Sequence, residues 1–432
     1  YIKRSKEKYD TIQMSLIDTW AATAAGAFTL TENNLYTVEA FVDYLNKLED
    51  NGIFTTTRWE FSKPQETIRI VAIALEALEE LGIEDSEKNI FILKQDVTVP
   101  TAQRTRFEAV ANVMIKRSAF SEEEAKILLE KADLGNFEVL YNPYEEKENI
   151  YNQLIRSNNK QKFYEEYSLD ISPTTDDRPF FFYTLKLKET LNFKKLFSGG
   201  YEEEISLKTN LGLFLLIITF FLTIGLAVAF ILIPLILKKY KDLSTNTLNK
   251  LIILAYFAGI GLGFIIIEIV LMQKFILFLG HPIYALSVIL FSLLIFSSLG
   301  SYTTNFVPEE KIKPNILASL MVLFSIILFY FYFLPLIFDK GIGLQLVPRI
   351  LIAILLLFPI GVILGRFFPL GIKLIDKEYH AIVPWAWGIN GTVSVVGSVT
   401  ALILAINFGF NLTLIIGFVA YLLTLGLIFK KV

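Results

Sequence analysis

Asp18 follows a short apolar stretch, residues 11–16, and runs into the small-residue loop 21–27, with Trp20 two positions on. A strand that stops at a carboxylate and a loose loop suits an open α/β sheet, where ligands sit beyond the carboxyl ends of the strands. The pair fits a cation: the carboxylate supplies charge and the indole face a cation–π contact. The plainer reading of Asp18 is a loop cap. Asp176 and Asp177 stand beside Arg178 in a turn-forming run, directly ahead of Phe180, Phe181, Phe182 and Tyr183. Adjacent carboxylates could line a cationic-substrate pocket; an Asp–Arg clamp with an aromatic plug over the sheet edge is the simpler alternative. Glu268 lies well inside an apolar run, where a carboxylate is costly and points to function or to a partner. Lys274, six residues on, faces away, which leaves Arg366 or a backbone group to meet it.

The first half of the chain carries the elements that would position these groups. Residues 36–48 alternate at helical spacing, Asp50-Asn51-Gly52 reads as a turn and residues 53–59 as a strand. Strand, loop, helix, turn and strand make a crossover unit of a parallel sheet. A helix is expected over 64–81, strands over 89–93 and 111–116, and a capping box at Ser121 and Glu124 ahead of a helix over 125–131.

These residues carry a resemblance. Tyr9-Asp10 with the apolar strand, Leu35-Tyr36-Thr37-Val38-Glu39-Ala40-Phe41 and Asp50-Asn51-Gly52-Ile53 resemble the second half of a spermidine synthase catalytic domain. That family shows Tyr-Asp, an apolar strand, Asp-Ser-x-Asp, then Leu-Phe/Tyr-Thr-x-Glu-x-Phe. Residues 16–27, the run 174–180 and the apolar second half are similar to membrane-embedded spermidine-synthase-like proteins of bacteria. The resemblance implies the C-terminal half of a Rossmann-like, class I methyltransferase-type parallel sheet, whose first strand here would be the fourth of the whole. The upstream half, holding decarboxylated S-adenosylmethionine or S-adenosylmethionine itself, is expected to precede Tyr1, so this chain alone should bind neither. The strand at Thr11 would then keep an unpaired edge.

The implied reaction is aminopropyl transfer to an amine, which needs a proton acceptor and carboxylates for the other ammonium group. The substrate is expected among Asp18, Trp20, Tyr36, Asp176 and Asp177, of which the resemblance itself supplies Asp18. Of the two family aspartates, the first falls on Ser15 and the second on Asp18. A serine hydroxyl is no general base near neutral pH. A methyltransferase on the same fold, and a major-facilitator-like transporter or sensor with a degenerate synthase domain, are the alternatives.

Composition divides the chain. With 53% hydrophobic and 19% charged residues it is more apolar than an ordinary globular domain, and the excess lies after about residue 210. We therefore expect a partial synthase-like domain over 1–165, a polar and aromatic connector over 166–209 and a helical membrane domain over 210–432. Apolar runs near the roughly 20 residues that cross a bilayer suggest seven spans, at 211–237, 250–274, 283–301, 315–338, 347–366, 384–407 and 411–429. Small residues three or four apart, Gly391, Ser394, Gly397 and Ser398 on one helix and Ala255, Gly259 and Gly263 on another, suit close packing in lipid. The net charge of −3 gives no reason to expect nucleic acid. No cysteine is present for disulfides or thiolate sites, and His281 and His380 are too far apart to suggest a metal cluster. Basic residues number ten on the loops opposite the first domain and five on its own side, which favours that domain outside. A nucleoside cofactor favours it in the cytoplasm, and the reading adopted is a bacterial inner-membrane protein with a cytoplasmic domain.

Overall fold

A computed structural model describes residues 2–16, 32–100, 105–186, 211–234 and 247–431. Asp18 and Trp20 lie outside the described residues, as does most of the expected connector. The chain divides into two compact units, Tyr1–Leu215 and Leu216–Val432.

The first unit is built on a five-stranded sheet in the order β1-β2-β4-β3-β5. β1 (Tyr9–Met14) leads through α1 (Val38–Asn46) to β2 (Leu48–Glu60), and the two strands pair in parallel. The Thr37 hydroxyl caps α1 by accepting from the Ala40 N–H. Val38, Phe41 and Leu45 then fall on one face and are buried, with Phe41 edge-on to Phe54 of β2 at 4.9 Å. Crossover and cap follow the spacing. The expected turn at residues 50–52 does not form; the segment lies within β2, where pairing with β1 shifts register between Tyr9 and Thr11.

Beyond β2 the all-parallel expectation fails. β3 (Ile90–Pro100) and β4 (Thr105–Lys116) pair antiparallel with each other, β4 pairs antiparallel with β2, and β5 (Glu138–Tyr141) pairs antiparallel with β3. The sheet is therefore mixed. The chain between β3 and β4 is only 101–104, far too short for the crossover that parallel neighbours require. α2 (Glu66–Glu80) covers the sheet and is buried for most of its length. α3 (Glu122–Leu134) starts at the expected capping box, Ser121 and Glu124 each bonding the other's backbone. Two short helices, α4 (Ile150–Ile155) and α5 (Lys160–Glu166), precede the segment 170–186.

The second unit is helical. α6 (Leu211–Ala227) passes into a π turn, Val228–Leu232; α7 (Thr247–Leu279), α8 (Pro282–Thr303), α9 (Ile312–Gly341), α10 (Leu346–Tyr379) and α11 (Val383–Lys431) follow. Five of these are long and apolar enough to cross a membrane, alongside a shorter apolar helix over Leu215–Ile231. This is a membrane protein, with five such helices among the described residues where seven spans were expected. No polar loop separates the last two expected spans, so the helix resumes after a single non-helical residue, Gly409 (φ 82°, ψ 170°), and α11 counts as one. The first apolar helix is too short to count. Part of the small-residue stripes packs α7 on α11: Gly259 faces Thr424, Gly263 faces Tyr421, and the Ser394 hydroxyl donates to the Gly261 carbonyl at 3.1 Å, whereas Gly391 faces open space.

Candidate functional site

The end of β1 leads to Ser15, which is exposed, and the described chain resumes at Glu32 just ahead of α1. Tyr36, at the head of that helix, is fully buried. Its ring stacks on Phe181 at 4.4 Å, and its hydroxyl accepts from Arg58 Nη1 at 2.9 Å. Arg58 in turn donates to Glu66 Oε2 through Nε (2.8 Å) and Nη2 (2.5 Å), and lies over the Phe182 ring. Tyr36 is thus an internal anchor that ties α1 to the segment 170–186.

That segment is held on α1 by backbone bonds. The Val38 N–H donates to Thr174 O at 2.9 Å, the Asn33 N–H donates to Pro179 O at 2.7 Å, and the Thr174 hydroxyl donates to Tyr36 O. Asp176 arrives beside the first turn of α1 as a result. Thr37 Oγ1 donates to Asp176 Oδ1 at 2.8 Å, and the Asp176 N–H donates to Glu39 Oε2 at 2.9 Å. Two carboxylates separated by most of the unit's sequence therefore stand together, both half-buried, beyond the carboxyl end of a parallel strand. Burial first, and then the Asp176 charge, push the Glu39 carboxyl up to about 7. Burial alone pushes Glu32 up to about 8.

Asp177 is half-buried in the same turn, where the Arg178 N–H donates to Thr175 O at 2.9 Å. The expected Asp–Arg clamp exists with another carboxylate: Arg178 Nη2 reaches Asp170 Oδ2 at 3.1 Å and Ser172 Oγ at 2.7 Å. Glu39 was not singled out by sequence reasoning, because a glutamate in a first turn reads as ordinary helix chemistry. The Thr-x-Glu spacing after Tyr36 was the available signal.

In the second unit Glu268 is half-buried in α7, and Arg366 does not meet it. Arg366 Nη1 donates to Thr303 Oγ1 at 3.2 Å and Nη2 to Asn315 Oδ1 at 2.9 Å, bracing the ends of α8 and α9. Depth explains the miss. At 1.5 Å per residue, Arg366 lies about 30 Å along α10 from Leu346, whereas Glu268 lies only about 17 Å from Leu279. Those two helix ends are neighbours, since Arg349 Nη1 donates to Phe278 O at 2.8 Å. Among the described residues no group of three or more His, Cys, Asp or Glu side chains could hold a metal ion.

No protein-family model matches this chain, and comparison with curated proteins and with solved structures likewise finds no match.

Proposed function

We propose that the first unit binds a cationic amine as part of a membrane-bound, spermidine synthase-like protein. The observation that carries this reading is the Glu39–Asp176 pair at the head of α1. Ser15 offers no base, and Glu39 takes that role: a carboxyl poised near neutral pH can accept a proton from an incoming ammonium. Asp176, braced by Thr37, holds the charge. Decarboxylated S-adenosylmethionine would supply the aminopropyl group.

The sign of the pH dependence follows from the raised carboxyl. Glu39 is mainly protonated at pH 6 and ionised above about 7, so amine affinity rises as pH passes upward through 7. Stability runs the other way: the folded state favours the protonated form, so this contribution fades as pH rises from 4.5 through about 7. Putrescine titration of the full chain in phosphatidylcholine nanodiscs reads the first effect. Glu39→Gln should flatten the profile, and Asp176→Asn should weaken binding roughly ten- to a hundred-fold, for a charge-assisted bond of about 1.5–3 kcal/mol. Binding indifferent to both changes would remove the assignment.

For the second unit the reading is seven crossings in a bacterial inner membrane, with the first unit in the cytoplasm. The apolar span His380–Thr424 holds 45 residues, which at 1.5 Å each is about twice the roughly 30 Å hydrocarbon thickness. The break at Gly409 divides it into two crossings, which makes six, and α6 continued by its π turn to Leu232 is the seventh. In intact cells, cysteines placed at Leu344 and Phe408, both outward-facing, should react from one side, and a cysteine at Asn305 from the other. Phe408 labelling together with Asn305 would refute the division.

A further inference from the structure

A cleft of about 500 Å³ opens in the first unit between the C-terminal end of α2, the turn before β3, and the stretch from α4 into α5. That volume lies within the roughly 300–1,000 Å³ of ligand sites. Five carboxylates line it: Glu76 and Glu79 from α2, and Glu84, Asp85 and Glu87 from the turn. Only Arg156 and Lys160 oppose them, Lys160 reaching Glu79 at 3.4 Å and Arg156 reaching Glu87 at 3.9 Å. Glu76 and Glu79 also sit at the negative end of the α2 macrodipole, where the last turn carries no basic residue. This arrangement works against the helix, and a cation from outside would relieve it. The Glu76 carboxyl is raised by burial and by Glu79, as a site short of positive charge requires.

Two buried donors on the wall make no hydrogen bond among the described residues, the Tyr164 hydroxyl and Arg156 Nε, the latter standing 3.9 Å from the Glu87 carboxylate. Tyr164 is only 6% exposed, and burial followed by Glu76 and Glu79 pushes its phenol upward, so it keeps its proton. An arginine Nε can only donate. A ligand matched to this wall therefore carries cationic groups for the carboxylates and carbonyl acceptors for the donors. The carboxylates are spread along the cleft and form no metal-binding group. We propose that the cleft docks a short basic peptide segment, its lysine or arginine side chains meeting Glu76, Glu84 and Asp85 and its backbone carbonyls facing Tyr164 and Arg156.

The site is independent of the amine site at Glu39, and one set of titrations separates them. The full chain in phosphatidylcholine nanodiscs is titrated calorimetrically with blocked tri-lysine, blocked tri-glutamate and hexane-1,6-diamine at low salt. Tri-lysine should bind saturably, at least tenfold tighter than the diamine, which brings charge without carbonyls; tri-glutamate should not bind. The double change Glu76→Gln with Glu84→Gln should weaken tri-lysine at least tenfold, and Tyr164→Phe several-fold. Glu39→Gln should leave tri-lysine untouched while reducing putrescine binding. Should the double variant not fold, Asp85→Asn reads the same loss. Equal affinity for peptide and diamine, or peptide binding unaffected by the carboxylate changes, or no saturable binding, would each overturn the proposal.

Discussion

Replacing Arg69 with leucine is expected to cost the first unit about 3–5 kcal/mol, the penalty of removing one partner from a buried ion pair. Arg69 projects from α2 and is 1% exposed. Its Nη1 donates to the carbonyls of Phe181 and Tyr183, both at 2.6 Å, its Nε donates to Ser172 O at 3.1 Å, and its Nη2 stands 3.4 Å from Asp170 Oδ2. One guanidinium thus gathers carbonyls from both ends of the segment 170–186, which has no strand ladder of its own. Leucine would leave those carbonyls without their donor and take one of the two arginines from Asp170, which keeps Arg178 and Ser172. Amide exchange across 170–186 should accelerate at least a hundredfold, since each 1.4 kcal/mol is a factor of ten. Asp176 would lose its place beside Glu39 and amine binding would fall with it. Exchange rates like those of the wild type would show that the segment is held by other contacts.

Acid adds a second reading of the same cluster. Burial alone would raise the Asp170 carboxyl, but Arg69 and then Arg178 outweigh it and hold the group below its ordinary value. A depressed carboxyl contributes stability that is present above the unfolded value of about 3.9 and is lost as pH falls through the folded one. The wild-type segment should therefore loosen only below about pH 4. In Arg69→Leu the loosening should begin at higher pH, because burial is then opposed only by Arg178 and the Ser172 hydrogen bonds.

What could be seen in the sequence was local. The capping box at Ser121, the apolar face of α1 and the crossover from β1 to β2 each follow from residues a few positions apart. The extension of β3 and β4 was not visible. Lys94, Gln95 and Asp96 face Ala111, Val110 and Ala109 through the backbone ladder, and this polar stretch has no alternating apolar pattern to announce a strand. Pairings across the unit were equally hidden. Asp176 meets Glu39, and Asp170 meets Arg69, only because the chain returns to α1 and α2 after the sheet is complete. In the second unit the apolar runs were plain. Their grouping into continuous helices was not, because nothing in the residues around Gly409 marks it as a break of a single residue.

Gly365→Ala should be among the most damaging single-methyl changes in the second unit. Overpacking a tight contact costs typically about 1–3 kcal/mol, occasionally more, and here no side chain can rotate away. A Cβ on Gly365 would lie 2.0 Å from the Ser297 carbonyl oxygen and 2.5 Å from its Cα; one on Gly300 would lie 2.0 Å from the Val362 carbonyl oxygen. The two glycines thus lie at one close crossing of α8 and α10, each against the other helix's backbone. Relief requires the helices to part, which would also stretch the Arg366–Thr303 bond, 3.2 Å long in the native arrangement. A loss of about 3 kcal/mol is expected for Gly365→Ala or Gly300→Ala. Gly391→Ala is the control: nothing lies within 4 Å of its Cβ position, and alanine there should gain up to about 1 kcal/mol of helix propensity. The double change Gly300→Ala with Gly365→Ala should cost less than the sum of the singles, because helices already parted by one methyl accommodate the second. Thermal unfolding of the four variants in one detergent measures all of this. If Gly365→Ala melts with the wild type, or if the double change is strictly additive, the helices do not share this crossing.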